Sequence, residues 1–235
     1  METAIKGPQI DKSALIVVDM QNDFVHAEGG FACKSREMPE AEIDMAFLMG
    51  TIPQVKRLVD SFRQAGRPVV YVAHVLKADY SDAQVPYWRF GIHPGEDNRT
   101  FIVENTWGAQ IVDELKPKEG EHLIVKKGFG GFSNTPLDTV LRNLGVTTCV
   151  VSGVTTCVCV STTVRGGVDH NYHMILVKDA VAEVNRRTHD AELETMTRVF
   201  ADVRTTEEVV VMLAPPAQSA YAATSTPPYR NAVSP

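Results

Sequence analysis

Short apolar runs recur along the chain at intervals that leave room for a helix between them. Six are rich in β-branched residues: Ala14–Val18, Pro68–Val75, His122–Val125, Thr147–Ser152, His173–Val177 and Glu208–Leu213. Each is nearly continuous rather than alternating, the pattern of strands buried on both faces of a parallel sheet. Between them Ile52, Val55, Leu58, Val59 and Phe62 repeat at three and four, and Gly66 stops that pattern before the second run. Gln110–Leu115, Pro136–Leu144, Thr156–Val168 and Ala191–Phe200 fill further gaps with helical spacing. This alternation predicts an α/β fold, with helices on both faces of a six-stranded, mostly parallel sheet in three αβα layers.

Two stretches break the rhythm. Residues 20–50 and 77–106 read as long loops rich in Gly, Pro and Asp, the second carrying Tyr80, Tyr87, Trp88 and Phe90. Long ordered loops in such folds usually shape a site. Residues 1–213 read as one domain, and residues 214–235 as a tail rich in Pro, Ser and Ala.

Composition narrows the class. With 235 residues, 44% of them hydrophobic, the chain is long enough for one well-packed domain. A net charge of −6 without a Lys/Arg cluster argues against nucleic acid or an anionic membrane as partner. No apolar run approaches the roughly 20 residues of a membrane span, and the opening METAIKGPQIDKS lacks the apolar core of a signal peptide. The expectation is a cytoplasmic protein whose thiols stay reduced. Cys33, Cys149, Cys157 and Cys159 then read as structural or catalytic thiols rather than a disulfide framework.

Reactive residues collect at the ends of the predicted strands, where open α/β sheets bind ligands. The first run ends in Asp19, the third in Lys126 and Lys127, and the fourth leads into GVTTCVCVSTT. A carboxylate, an ammonium and a thiol thus converge on one edge. In a helix opening near Thr156, Cys157, Val160, Val164 and Val168 share one stripe, which suits the core. Cys157 therefore reads as a small buried hydrophobe. Cys159 faces away from that stripe in the first turn, near free amides and Lys126, both of which favour a thiolate. Cys159 is the candidate nucleophile. On one helix the two sulfurs lie on opposite faces and cannot share an ion, and no other Cys/His cluster has zinc spacing. His74 ends a strand without an Asp-x-His pair, so no metal is expected. No Gly-x-Gly-x-x-Gly follows the first strand and no P-loop is present, so no nucleotide cofactor is expected either.

ALIVVDMQNDF, IVKKGFGGFSNTPLDTVLRNLGV and VVSGVTTCVCVSTTVRGGVDHNY resemble the isochorismatase-like cysteine hydrolases, over about residues 12–213 and in that family's order. The resemblance implies the family's Rossmann-like hydrolase fold, with Asp19, Lys126 and Cys159 as its Asp-Lys-Cys triad. It implies a cis peptide at Val154–Thr155 that aims the Thr155 and Cys159 N–H groups at an oxyanion. It also implies hydrolysis of a C–N bond through a thioester, with no cofactor or metal, on a small-molecule substrate and in a homo-oligomer, dimer or tetramer.

Within that family the chain looks closest to the ureidoacrylate and N-carbamoyl amidohydrolases. YVAHVLKADYSD lacks the nicotinamidase Asp-x-His motif, and Cys159 counts against the vinyl-ether-cleaving isochorismatases, which typically lack the cysteine. Biuret hydrolases are expected to carry a glutamine where Phe200 stands here. Many members have Tyr and Ser where this chain has Phe129 and Gly130, a change that removes two hydroxyls and reads as opening space. Phe24, His74, Trp88, Phe129 and Phe132 are the expected pocket lining, and Trp107 reads as packing or interface. Lys127, Arg89 and Arg165 could meet a substrate carboxylate, although solvated surface suits each better. Two rivals remain: a non-catalytic binding member of the fold, and a thiol redox protein using Cys157 and Cys159.

Overall fold

The computed structural model describes residues 7–86 and 101–214. Strand β1 (Ser13–Val18) is followed by short helices α1 (Asn22–Val25), α2 (Gly30–Glu37) and α3 (Met45–Gly50), then α4 (Ile52–Gln64) and β2 (Val69–His74). Next come β3 (His122–Lys126), α5 (Leu137–Asn143) and β4 (Thr148–Val154). A π turn over Thr156–Val160 opens α6 (Ser161–Asp169), and β5 (His173–Ala182), α7 (Arg186–Thr195), β6 (Asp202–Arg204) and α8 (Thr206–Leu213) complete the order.

All six strands are parallel, in the order β3-β2-β1-β4-β5-β6. The chain builds outward from β1 on one side, then returns to lay β4 on the other. The order reverses between β1 and β4, the switch point at whose carboxyl ends open α/β sheets bind ligands.

Strand alternation explains the continuous apolar runs. Leu15 and Val17 of β1 pack with Val55, Leu58, Val59 and Phe62 of α4 and Val209 of α8. Ala14, Ile16 and Val18 point the other way, to Leu137 and Leu141 of α5 and Val160 and Val164 beside them. Every residue of β1 is buried, so both of its faces must be apolar.

Four expectations change. Glu208–Leu213 is helix α8 rather than the last strand, and the sixth strand is the three-residue β6. The Thr205 side chain accepts from the Glu208 N–H, and the Glu208 carboxylate accepts from the Thr205 N–H, a capping box that starts the helix. Residues 20–50 hold three short helices rather than one loop. The helix expected over 191–200 starts earlier, at Arg186, because the Asn185 side chain accepts from the Arg187 and Thr188 N–H groups. Within 110–115 only a 3-10 turn forms, at Asp113–Leu115. Tyr87, Trp88, Arg89, Phe90 and the tail from residue 215 lie outside the described residues. Among the described residues no helix is long and apolar enough to cross a membrane.

Candidate active site

Four strand ends meet at this switch point. His74 closes β2 and Lys126 closes β3, and the two are direct partners in the parallel register. Their side chains therefore leave the same face of the sheet, the one covered by α5 and α6. Strict alternation along β1 would send residue 19 to the opposite face. Asp19 has φ of 50°, a left-handed turn that breaks the alternation. Its Oδ2 lies 2.8 Å from Lys126 Nζ.

Cys159 arrives from β4 through a turn that only glycine permits. Gly153 has φ of 113°, and a Cβ there would stand 2.0 Å from the Val18 carbonyl oxygen. The Val154–Thr155 peptide bond is cis. In the π turn that follows, the Cys157 N–H donates to Glu183 Oε2 at 2.7 Å. The Val158 and Val160 N–H groups both donate to the Thr155 carbonyl. Cys159 Sγ thereby sits 3.3 Å from Lys126 Nζ.

Asp19, Lys126, His74 and Cys159 are all buried. Burial pushes the Asp19 carboxyl above its ordinary range, and Lys126 only partly offsets it. Burial by itself lowers the Lys126 ammonium, but Asp19 and the Cys159 sulfur outweigh it and the net shift is upward. Burial also raises the Cys159 thiol, with the Asp19 charge adding to it. Burial thus works against the thiolate that Lys126 and the helix terminus favour, and the same burial makes the neighbouring carboxylate more basic.

Asp19, His74 and Cys159 place three metal-ligating atoms within 4.8 Å of one another. Lys126 Nζ is already in contact with all three, so an ammonium stands where an ion would sit. That arrangement does not suit a cation.

The expected pocket residues divide. His74 points at Lys126, with Nδ1 3.2 Å from Nζ. Phe129 packs against both cores and lies edge-on to His74, ring centres 6.3 Å apart. Phe24 is buried in an aromatic cluster with Phe31 and Phe101. Phe132 is a correction: its ring stacks on His170 and packs against Tyr172 and Gly167, toward the far end of α6 from Cys159. Trp88 lies outside the described residues.

Two other readings change. The space beside Gly130 is not open, since a Cβ there would meet Thr162 Cγ2 at 2.9 Å. Cys157 is only half-buried, its Sγ donating to the Thr188 carbonyl at 3.2 Å. A count at 100° per residue misplaces it because the turn is π, not α. Lys127 and Arg165 are committed to ion pairs with Asp82 and Glu192, at 2.7 Å each.

Sequence reasoning missed Gln21 and Glu183. Gln21 accepts from the His74 N–H at 2.9 Å and donates to the His74 carbonyl at 2.8 Å and the Ala109 carbonyl at 2.9 Å. It lies within the quoted DMQNDF segment, but only the fold shows what it holds.

The family model described as Isochorismatase domain matches residues 13–208. The ureidoacrylate amidohydrolase RutB of Rhizobium rhizogenes is 33% identical over 179 residues, covering 72% of this chain and 70% of that protein. A cysteine hydrolase from Pseudomonas syringae pv. phaseolicola superposes with TM-score 0.76 at 26% identity, over 91% of this chain and 98% of that one. The N-carbamoylsarcosine amidase of Thermoplasma acidophilum does so with TM-score 0.66 at 28% identity, over 83% of this chain and 97% of that one. Similarity of this extent, over a shared six-stranded α/β fold, makes the chain a member of the isochorismatase family.

Proposed function

We propose that this protein is a cysteine amidohydrolase that cleaves a C–N bond of a small ureido or N-carbamoyl compound through a thioester. The observation that carries this reading is the contact of Lys126 Nζ with Asp19 Oδ2 at 2.8 Å and with Cys159 Sγ at 3.3 Å, all three residues buried at the strand ends. The naming of relatives as a ureidoacrylate amidohydrolase and an N-carbamoylsarcosine amidase supports the substrate class.

Asp19 takes the Cys159 thiol proton as sulfur attacks the carbonyl carbon. The family resemblance gives the oxyanion to the N–H groups of Thr155 and Cys159, and the neighbouring Cys157, Val158 and Val160 amides donate elsewhere. Each such donor is typically worth about 3–4 kcal/mol. Collapse breaks the C–N bond, and the proton on Asp19 passes to the leaving nitrogen. Water then attacks the thioester carbonyl while Asp19 removes its proton. The acid leaves, and sulfur recovers the proton. Lys126 balances the negative charge that moves between carboxylate and sulfur. The residues at this centre do all the proton transfers themselves.

The test is ammonia release over a panel of primary amides, ureido acids and N-carbamoyl amino acids, with Cys159→Ala beside the wild type. Release from one class, abolished in the variant, supports the reading. Silence with a Cys159 that iodoacetamide still alkylates puts the substrate class in error. Silence with an unreactive Cys159 overturns the mechanism and favours a binding protein.

A further inference from the structure

Among the described residues, four acceptors lie within 3.3 Å of Lys126 Nζ: Asp19 Oδ2 at 2.8 Å, the Gly128 carbonyl at 3.1 Å, His74 Nδ1 at 3.2 Å and Cys159 Sγ at 3.3 Å. An ammonium carries three protons. His74 Nδ1, the Gly128 carbonyl and Cys159 Sγ accept hydrogen bonds from it and account for the three, while Asp19 Oδ2 is held as an ion pair without a hydrogen bond.

Toward Lys126, His74 can only accept. Its Nε2 faces the Lys127 carbonyl at 3.1 Å, an acceptor, so the ring proton sits on Nε2 and Nδ1 carries the lone pair. The ring is held in place by its backbone, which the Gln21 side chain clamps through both N–H and C=O. It also stays neutral. Among the described residues the charged groups near it include Lys126 at the end of β3, Lys127 just after it and Asp82 from the loop after β2, and burial and Lys126 push its pKa down to about 2.

We propose that His74 is a positioning residue for Lys126 rather than a substrate contact. With the Gly128 carbonyl it pins two of the three ammonium protons, leaving the third aimed at Cys159 Sγ while Asp19 Oδ2 stays beside the ammonium as an ion pair. When Asp19 takes the thiol proton, that N–H already faces the thiolate. No atom of Lys126 needs to move more than a bond rotation, and no other proton is released. Because the ring is a neutral acceptor, it orients the ammonium without adding a second charge that would drain it. This inference rests on the hydrolase reading, but its test does not need a substrate.

The test compares wild type with His74→Asn, His74→Gln and His74→Phe. Asn presents its Oδ1 near the position of Nδ1, Gln reaches the position of Nε2, and Phe keeps the shape without an acceptor. The readouts are the rate of Cys159 alkylation by iodoacetamide across pH, resolved by mass mapping from Cys33 and Cys157, and kcat and KM separately on any substrate found. His74→Phe should slow alkylation and lower kcat by about 10–100-fold, the usual effect of removing a partner that orients a functional group. KM should barely move, and His74→Asn should recover most of the loss where His74→Gln does not. Equal loss in Asn, Gln and Phe variants that melt cooperatively, or no loss in Phe, overturns the proposal. If Phe does not fold, the Asn and Gln comparison decides it alone. A wild type that is alkylated yet hydrolyses nothing removes the substrate class and leaves this inference to the alkylation rates. A wild-type Cys159 that iodoacetamide never modifies overturns both.

Discussion

Asp19 Oδ2 and Lys126 Nζ lie 2.8 Å apart with both side chains closed off from solvent. Two opposite charges in such a place are each expensive alone and tolerable together. The pair is therefore structural as well as chemical, and the two roles separate by mutation.

Asp19→Asn and Lys126→Met should each lower stability by about 3–5 kcal/mol, because each strands the other charge. The double variant should recover much of that, with a coupling above about 1 kcal/mol in urea denaturation. All three variants should be inactive. Additive losses would mean the two charges do not hold each other.

His74 should give the protein a distinct acid sensitivity. Its pKa falls from 6.5 in the unfolded chain to about 2 in the fold. Below pH 6.5 the unfolded chain takes up a proton that the fold refuses, so stability drops as pH falls through that window. The slope from this one group is about 1.4 kcal/mol per pH unit. Asp19 acts in the opposite sense, since its raised pKa favours the fold at low pH and loses that advantage as pH rises. Denaturation of wild type and His74→Asn at a series of pH values between neutrality and mild acid should show a flatter profile for the variant. Identical slopes would refute a neutral buried His74.

Cys157 and Cys159 should part company completely. Cys157 sits against the Thr188 carbonyl and its own burial and Glu183 push its thiol up to about 12. Cys157→Ala should keep turnover within about threefold of wild type. Mass spectrometry after mild peroxide should find no 157–159 disulfide. A disulfide there would revive the redox reading.

Gly153 and Gly145 make a matched pair of left-handed glycines. A Cβ at Gly153 meets the Val18 carbonyl at 2.0 Å, while one at Gly145 meets nothing within 4 Å. Gly145→Ala should cost about 1–2 kcal/mol from φ alone. Gly153→Ala should cost more than about 3 kcal/mol, because the turn carrying Cys159 must move away from β1. Thermal melts of the two variants would show it, and equal losses would contradict the close packing.

The apolar runs determined most of the fold by themselves. Burial on both faces requires unbroken apolar stretches, and β1, β2 and β4 were legible for that reason, whereas the edge strand β3 leaves Leu123 and Val125 exposed on one face. The last strand was not, since a six-residue run such as Glu208–Leu213 satisfies either period. The capping signal at Thr205 and Glu208 was present but local. Asp19, Lys126 and Cys159 could be named because each directly follows or closes a strand-linked motif.

Only the tertiary structure decided what those groups do to one another. Periodicity would have put Asp19 on the wrong face, and a left-handed φ of 50° carries it back. Sequence placed His74 at a strand end, but its role depends on register with Lys126 and on a Gln21 clamp reaching across 53 positions. Phe132 looked like a pocket residue beside the GFGGF motif, and its direction was set by the packing of Gly167 and Tyr172. The burial that raises the Cys159 thiol also escaped the sequence, because desolvation depends on everything around a group and no motif records that.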